Sequence, residues 1–222
     1  MLASLAVFLF ILYDERRCSL SLEEYPLLQE IIIVVCSYLL GSVPTGLLLA
    51  KAVGGVDIRT AGSGNIGATN VYRTLGRKIG IMTLLGDCLK GLIPVLAAKY
   101  LFGLPVVWIA CVGLAAFLGH VYTVFLGFKG GKGVATALGV FLGTSPLAVL
   151  AALGIFSLVL LKWRYVSLAS IVAAAIIPLL VALIDRNGLL TAMSIIIAAI
   201  VIYKHAENIA RLKAGSETKF RA

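Results

Sequence analysis

Long apolar segments separated by short basic loops are the feature that most limits what this chain can fold into. Such segments occupy residues 31–51, 79–102, 106–126, 134–161, 166–184 and 188–203. Most of them reach the roughly 20 residues that an α-helix needs to cross a bilayer. With 61% hydrophobic residues, the 222-residue chain has too little polar surface to cover a soluble globule. The sequence therefore predicts an all-α integral membrane protein.

The distribution of charge decides how residues 134–161 are divided. As one helix they would be about 42 Å long, well beyond a hydrocarbon core of about 30 Å, whereas the Thr-Ser-Pro sequence at 144–146 can separate two shorter helices. With that break, nearly all Lys and Arg residues of the loops and tail fall on one side, and only Lys99 and Arg186 fall on the other. Because basic loops stay in the cytoplasm, we predict seven transmembrane helices, some short or broken, with the N-terminus out and the C-terminus in.

The start of the chain is treated separately. Its apolar run, residues 2–13, would rise only about 18 Å as a helix and does not cross a bilayer alone. We interpret residues 1–30 as an N-terminal extension and residues 31–222 as one membrane domain. The four cysteines lack C-x-x-C spacing, and we see no Cys, His and carboxylate cluster suited to a metal. We predict neither a metal nor a cofactor.

The most polar segment between two apolar runs is Gly62–Asn70, with the sequence GSGNIGATN. Its glycines allow backbone N–H groups to curl around an anion, and Arg73 follows closely. We expect substrate contacts from Gly62, Ser63, Gly64, Asn65, Thr69 and Asn70. The G-x-G-x-x-G pattern within it does not predict a dinucleotide site, because no βαβ unit surrounds it. The alternative is a flexible connecting loop.

A second glycine-rich segment, Gly127–Thr136, has the sequence GFKGGKGVAT. It is one residue too short before its Gly-Lys pair for a nucleotide-hydrolysing P-loop, and no Ser or Thr follows the lysine. Amides at the start of the following helix and two lysines favour a phosphate. The candidates are Lys129, Gly130, Gly131 and Lys132. The alternative is that these lysines only follow the positive-inside tendency.

Two helix ends carry polar side chains spaced i, i+3, and therefore on one face. Ser167 and Ser170 begin the sixth span, where they either cap the helix or bind a phosphoryl oxygen. His205 and Asn208 end the seventh span, either as satisfied surface groups or as inward-facing ligands. The spacing alone leaves both alternatives open for each pair.

Three ionisable residues lie inside predicted spans. Asp87 and Lys90 are three residues apart in the second span, and His120 lies in the third. Charges are costly in hydrocarbon, so we expect Asp87 and Lys90 to form a structural ion pair. The role of His120 stays open.

Six segments taken in order resemble the PlsY family of bacterial acyl-phosphate:glycerol-3-phosphate acyltransferases: GSVPTG, DIRTAGSGNIGATN, GDCLKG, GHVYTVFLGFKGGKGVAT, RYVSLAS and KHAENIARL. The resemblance covers residues 31–222 and implies a seven-helix enzyme of the bacterial inner membrane with a cytoplasmic active site. It implies transfer of a fatty acyl group from acyl phosphate to the sn-1 hydroxyl of glycerol 3-phosphate. The products would be lysophosphatidic acid and phosphate, in the first step of phospholipid synthesis. The family's catalytic residues match Ser63, Arg73, Lys132, Ser170, His205 and Asn208. The family pattern is interrupted at Thr123, where a proline is usual.

The residue types also suit this chemistry. Acyl phosphate carries a good leaving group, so the attacking hydroxyl needs orientation, oxyanion donors and neutralised charge more than a strong base. We expect a phosphate oxygen of the donor to accept the hydroxyl proton. Acyl phosphate, glycerol 3-phosphate and membrane lipid are the expected partners, and the enzyme that makes acyl phosphate is a further candidate.

Other functions fit less well. Nucleic acid is not expected despite the net charge of +9, because the basic residues lie in short loops between apolar runs. A transporter of phosphorylated molecules needs polar groups accessible from both faces, whereas the predicted outer loops carry few. A scaffold that only binds anionic lipid would not need glycines and hydroxyl residues beside its charges.

Overall fold

The computed structural model of the chain describes residues 26–220, and the regular structure in that range is helical. The α-helices are α1 Pro26–Ser42, α2 Thr45–Gly54, α3 Ala68–Leu75, α4 Arg77–Leu96, α5 Val106–Val121, α6 Val134–Thr144, α7 Pro146–Trp163, α8 Val166–Ile184, α9 Gly188–Lys204 and α10 Ala206–Lys213. A π-helical turn, Ala97–Leu101, extends α4, and 3₁₀ turns occupy Ile58–Thr60 and Val124–Leu126. Most of the predicted extension, residues 1–25, lies outside the described residues, so its boundary stays a prediction.

Several of these helices suit a membrane. Five segments of the described range are long and apolar enough to cross one: Leu27–Gly54, Arg77–Leu101, Val106–Leu126, Pro146–Trp163 and Val166–Ile184. Together, α9 and α10 make a sixth candidate, bent by 54°. With 11 residues, α6 rises about 17 Å and is too short to cross alone. The all-helical fold is confirmed, whereas the seven-span count and the orientation of the termini stay predictions.

Two of the apolar runs are interrupted, the second at the break that the sequence predicts. The first lies at Val43–Pro44, between α1 and α2, where proline supplies no amide for a continuing helix. The second lies at Ser145, between α6 and α7. Thr123 donates a 2.5 Å hydrogen bond from Oγ1 to the carbonyl oxygen of Ser42. This bond joins the end of α5 to the first interruption.

The expected ion pair of α4 is confirmed. Lys90 Nζ lies 2.8 Å from Asp87 Oδ1, and both side chains are almost fully buried. Lys90 also donates a 2.8 Å hydrogen bond to the carbonyl oxygen of Val43. His120 Nδ1 lies 3.6 Å from the same Asp87 oxygen. The pair therefore supports the break between α1 and α2, where a backbone carbonyl lacks a helical partner.

Residues 52–78, which lie between the first two apolar runs, contain the short helix α3. Its Val71 is fully buried in a small apolar cluster with Leu47, Ala50, Ile58, Ile66 and Ile79. A helix this short depends on tertiary packing more than on its own propensity, which explains why the local pattern did not predict it.

The main core lies along α5. Val112, Phe117 and Val121 of this helix are fully buried, and they pack in a cluster with Val140 of α6 and Ile197 of α9. The helices from Ile33 onward belong to one compact unit. The polar residues at the ends of α3, α6, α8 and α10 are left at one end of the apolar core, where they surround a cavity.

Candidate active site

A polar cavity of about 190 Å³ lies where segments distant in the sequence meet. The predicted site residues that line it are Ser63, Asn65, Thr69, Asn70, Arg73, Lys132, Ser170, His205 and Asn208. The predicted residues Gly62, Gly64, Lys129, Gly130 and Gly131 are not among its lining residues. Each of the four polar segments chosen from the sequence therefore supplies side chains to one site.

The Gly62–Asn70 segment folds around one of its own side chains. Gly62 and Gly64 adopt the left-handed conformation, with φ of 60° and 69°. Asn70 is buried, and its Oδ1 accepts a 2.8 Å hydrogen bond from the amide of Ser63. Its Nδ2 donates to the carbonyl oxygens of Ile58, Ala61 and Asn65 at 3.2, 2.9 and 2.9 Å. Asn70 thus holds the loop in shape.

The amides of this loop are also satisfied internally. Gly64 donates to the carbonyl oxygen of Ala61 at 3.0 Å, and Gly67 donates to Asn65 Oδ1 at 2.8 Å. Ser63 and Thr69 line the cavity, as does Ala68 at the start of α3. The start of α3 has no side-chain cap, so its first amides remain available. The loop therefore offers hydroxyl groups and a helix start to an anion.

The Gly127–Thr136 segment behaves similarly. Gly130 donates its amide to the carbonyl oxygen of Val121, and Gly131 donates to that of His120, at 3.2 and 3.1 Å. A Cβ at Gly131 would overlap the His120 imidazole, so glycine is needed for this close approach to α5. These two amides therefore hold the segment against α5, although the sequence predicts that they contact the phosphate.

The groups of this segment that can donate hydrogen bonds to an anion follow Gly131. Lys132 reaches the cavity, and Gly133, Val134 and Ala135 at the start of α6 line it. No side chain caps α6, and the first amides of a helix lack intrahelical acceptors. These amides and the Lys132 ammonium group are therefore suited to bind a phosphate or a carbonyl oxygen that gains negative charge.

A hydrogen-bonded chain links Lys132 to the tail of the protein. The Lys132 ammonium group donates to Asn208 Oδ1. Asn208 Nδ2 in turn donates to Glu217 Oε1 at 2.7 Å. Ser167 Oγ donates to the same oxygen and Arg211 Nε donates to Oε2, both at 2.7 Å. Glu217 is not among the predicted site residues, although an acidic residue in a tail rich in Lys and Arg is a signal of such a role.

His205 lies at the bend between α9 and α10 and is buried. Its Nδ1 lies 2.7 Å from the carbonyl oxygen of Val201. Because a carbonyl only accepts, Nδ1 carries the proton. Burial, together with the nearby Lys132 charge and despite the bond to Val201, lowers the pKa of His205 below 6.5. The imidazole is therefore neutral near pH 7, and its Nε2 is a hydrogen-bond acceptor.

Positive charge predominates among the residues that line the cavity. Arg73, Lys132 and Arg211 contribute cations, of which Arg73 is exposed and Arg211 is paired with Glu217. Burial, and then repulsion from Arg211, lower the pKa of Lys132 from 10.5. Cations held close together at a partly enclosed site are suited to multivalent anions.

An apolar cavity of about 240 Å³ adjoins the polar one. Leu84, Val134, Ala135, Phe156 and Ser170 line both cavities. The remaining lining of the apolar cavity comes from Ala, Leu, Ile, Val and Phe side chains of α6, α7, α8 and α9. An anionic group and a hydrocarbon chain can therefore be bound side by side.

A sequence profile described as glycerol-3-phosphate acyltransferase matches residues 31–215. The chain belongs to this family. Glycerol-3-phosphate acyltransferase relatives include the protein of Geotalea daltonii, 73% identical over 86% of this chain and 98% of the relative. The protein of Geobacter sulfurreducens is 65% identical over 88% of this chain and 100% of the relative.

A solved structure extends the comparison to the fold. The crystal structure of PlsY, an integral membrane glycerol 3-phosphate acyltransferase, in its glycerol 3-phosphate form is 46% identical to this chain. It aligns with a TM-score of 0.83 over 87% of this chain and 96% of PlsY. A lysophosphatidic acid form of PlsY aligns with a TM-score of 0.81. The resemblance to the PlsY family is confirmed, and the chain is a multi-pass membrane protein.

The buried His205 predicts a specific dependence of stability on pH. Its pKa in the folded protein lies below the value of 6.5 expected when unfolded, so the unfolded chain binds the proton first as the pH falls. His205 should therefore lower the free energy of unfolding on acidification from about pH 7.5 to about pH 5.5, and His205→Gln should remove that part. Thermal unfolding in detergent should show a smaller acid-induced drop in Tm for His205→Gln than for the wild type. Equal drops would contradict the assignment.

Proposed function

We propose that this protein transfers a fatty acyl group from acyl phosphate to the sn-1 hydroxyl of glycerol 3-phosphate. The products are lysophosphatidic acid and phosphate, and the reaction is the first step of bacterial phospholipid synthesis. The observation that carries the proposal is the cationic polar cavity beside the apolar cavity, with a shared wall. Lysophosphatidic acid combines a phosphate head with a hydrocarbon chain and suits such a pair of cavities. The PlsY structures in glycerol 3-phosphate and lysophosphatidic acid forms support the same reading.

The reaction needs no protein-bound acyl intermediate. The sn-1 oxygen attacks the carbonyl carbon of acyl phosphate, a new ester bond forms, and the bond from that carbon to the phosphate oxygen breaks. The hydroxyl proton passes to a phosphate oxygen of the donor, whose second pKa is about 6 if it resembles a phosphorylated side chain. Phosphate leaves with the electron pair of the broken bond. The protein then contributes positioning and charge stabilisation.

Different side chains bind the phosphate and orient the hydroxyl group. Arg73 and Lys132 neutralise phosphate, with Ser63 and the start of α3 as further hydrogen-bond partners. The neutral His205 accepts a hydrogen bond from a glycerol hydroxyl at Nε2 and orients it. Asn208 holds Lys132 through Oδ1 and keeps a second N–H for a substrate oxygen.

The shared wall of the two cavities is where the carbonyl group of the donor belongs. The first amides of α6 are oriented donors for the developing oxyanion. Ser170 Oγ donates to the carbonyl oxygen of Val166 at 2.8 Å and retains lone pairs toward the cavity, so it can accept a hydrogen bond from a substrate hydroxyl. These groups lie between the phosphate side and the acyl side, which is the position the reaction requires.

We place this reaction at the cytoplasmic face of the bacterial inner membrane, with the chain crossing seven times. The support is the concentration of Lys and Arg in the loops and tail that carry the cavity residues. Membrane lipid surrounds the helices, and the enzyme that produces acyl phosphate is a candidate partner on the same face. A transporter or a lipid-binding scaffold would not need an acyl cavity that opens onto a phosphate site.

The donor can be tested directly. Purified protein in detergent is mixed with radiolabelled glycerol 3-phosphate and, in separate reactions, acyl phosphate, acyl-CoA or acyl-carrier protein. We expect radiolabelled lysophosphatidic acid with acyl phosphate only. Equal product from acyl-CoA or acyl-carrier protein would contradict the donor. No product from any donor would contradict the proposed enzyme and favour a transporter or a scaffold.

If the apolar cavity binds the acyl chain, a substitution that fills it should change which chain length the protein prefers. Ala173 lines the apolar cavity on α8, whereas Ala175 on the same helix is exposed. Ala173→Phe should fill the cavity and lower kcat/KM for palmitoyl phosphate relative to octanoyl phosphate by about 10-fold. The matched control, Ala175→Phe, should leave this ratio unchanged. A ratio that stays constant in Ala173→Phe, or changes equally in both variants, would contradict the assignment.

A further inference from the structure

The residues Ser216–Phe220, which we call the C-terminal strap, join three of the elements that surround the polar cavity. The amide of Phe220 donates a 2.6 Å hydrogen bond to the carbonyl oxygen of Arg164, just before α8. Arg73 Nη2 of α3 donates to the carbonyl oxygen of Thr218 at 3.1 Å. The Phe220 ring lies against that of Tyr72, with centroids 5.6 Å apart. Before Glu217, the amide of Ser216 donates to the carbonyl oxygen of Arg211 in α10 at 2.9 Å, so the strap is fixed on both sides of Glu217.

Within the strap, Glu217 is buried and lines the cavity. Its carboxylate accepts three hydrogen bonds, two on Oε1 from Ser167 and Asn208 and one on Oε2 from Arg211. Burial acts to raise the pKa of Glu217, but the bonds from Ser167, Arg211 and Asn208 outweigh it and hold the pKa below 4.5. The carboxylate is therefore charged at neutral pH.

The charged carboxylate determines which way the Asn208 amide faces. Because Nδ2 donates to Glu217, Oδ1 is left to accept from Lys132. The opposite orientation would direct an NH₂ group at the ammonium group and a carbonyl oxygen at the carboxylate, which is repulsive on both sides. Glu217 thereby sets where the Lys132 ammonium group lies, although it does not itself contact Lys132 through a hydrogen bond.

We propose that Glu217 is a positioning residue for glycerol 3-phosphate, which acts through Asn208 to hold the Lys132 ammonium group where the phosphate binds. This inference rests on the proposed function and concerns the polar cavity, so use of the acyl chain should be unaffected. The strap then belongs to the substrate site.

The charges around Lys132 give a second signature. Arg211 and Arg73 lower the pKa of Lys132, whereas Glu217 and Glu207 raise it, and the adjacent His205 is neutral. When the charge of Glu217 is removed, less of the repulsion from Arg211 is offset. Lys132 should then lose its proton at a lower pH, so glycerol 3-phosphate binding should weaken earlier on the alkaline side.

The test uses Glu217→Gln, which keeps the size of the side chain and removes its charge. We expect KM for glycerol 3-phosphate to rise about 10-fold, with kcat and KM for acyl phosphate within about 2-fold of the wild type. The alkaline limb of the kcat/KM profile for glycerol 3-phosphate should also move to lower pH. A purely structural role of Glu217 would change the KM values of both substrates by a similar factor. It would also leave the alkaline limb at the pH of the wild type.

Glu207 provides the matched control. It lies on α10, is largely exposed, and faces the same Arg211 at 3.9 Å. Glu207→Gln should therefore leave both KM values unchanged, and it should move the alkaline limb less than Glu217→Gln does, because Glu207 also raises the pKa of Lys132 but less than Glu217. A similar KM increase in Glu207→Gln would show that any loss of negative charge near Arg211 suffices, and would overturn the role of Glu217.

The outcomes separate this inference from the proposed function. An active wild type with an unchanged KM for glycerol 3-phosphate in Glu217→Gln would overturn the inference alone. A wild-type protein that makes no lysophosphatidic acid would overturn both the inference and the proposed function. If Glu217→Gln does not elute from size-exclusion chromatography as a folded protein, Ser167→Ala decides, because it removes one donor to the carboxylate. It should raise the same KM about 3-fold, and an unchanged KM would overturn the proposal.

Discussion

The cost of removing charge from water determines where a protein like this one can bind a phosphate. An ionised group in the middle of an apolar bundle needs a partner at once, and the buried Asp87 and Lys90 meet that need with each other. The cations that face the polar cavity lie instead at helix ends and in the segments beside them, as Arg73 and Lys132 do. A phosphate site beside an acyl site is therefore expected where helices end, and the two cavities share their wall at the start of α6.

Features set by neighbouring residues were predictable from the sequence. A proline fixes the break at Val43–Pro44, because it lacks an amide whatever surrounds it. Spacing of three residues places Asp87 beside Lys90, and His205 on the same side as Asn208. The relation of Asp87 to Lys90 depends on helix geometry alone, and the structure retains it, whereas His205 lies at the bend before α10 and lines the cavity with Asn208. Their chemical roles depend on groups from other helices, and spacing does not reveal those.

What the sequence did not reveal depends on contacts between distant segments. The amides of Gly130 and Gly131 were expected to face a phosphate, but their donors are turned toward α5 by packing against His120. Asn70 was expected to contact substrate, but its side chain forms hydrogen bonds with the backbone of the loop that carries Ser63. Glu217 gains its importance only after the tail returns to α8 and α10. In each case the residue type suggested polarity correctly, whereas its partner was set by tertiary structure.

We propose that Lys132 and Arg73 bind the phosphate of glycerol 3-phosphate in the polar cavity. Isothermal titration calorimetry with glycerol 3-phosphate measures this binding without any acyl donor. Lys132→Ala and Arg73→Ala should each weaken binding by about 1.5–3 kcal/mol, the usual loss for a charge-assisted hydrogen bond. Lys213→Ala, at an exposed position near the end of α10, should bind as the wild type does. Unchanged affinity in Lys132→Ala and Arg73→Ala would contradict the account.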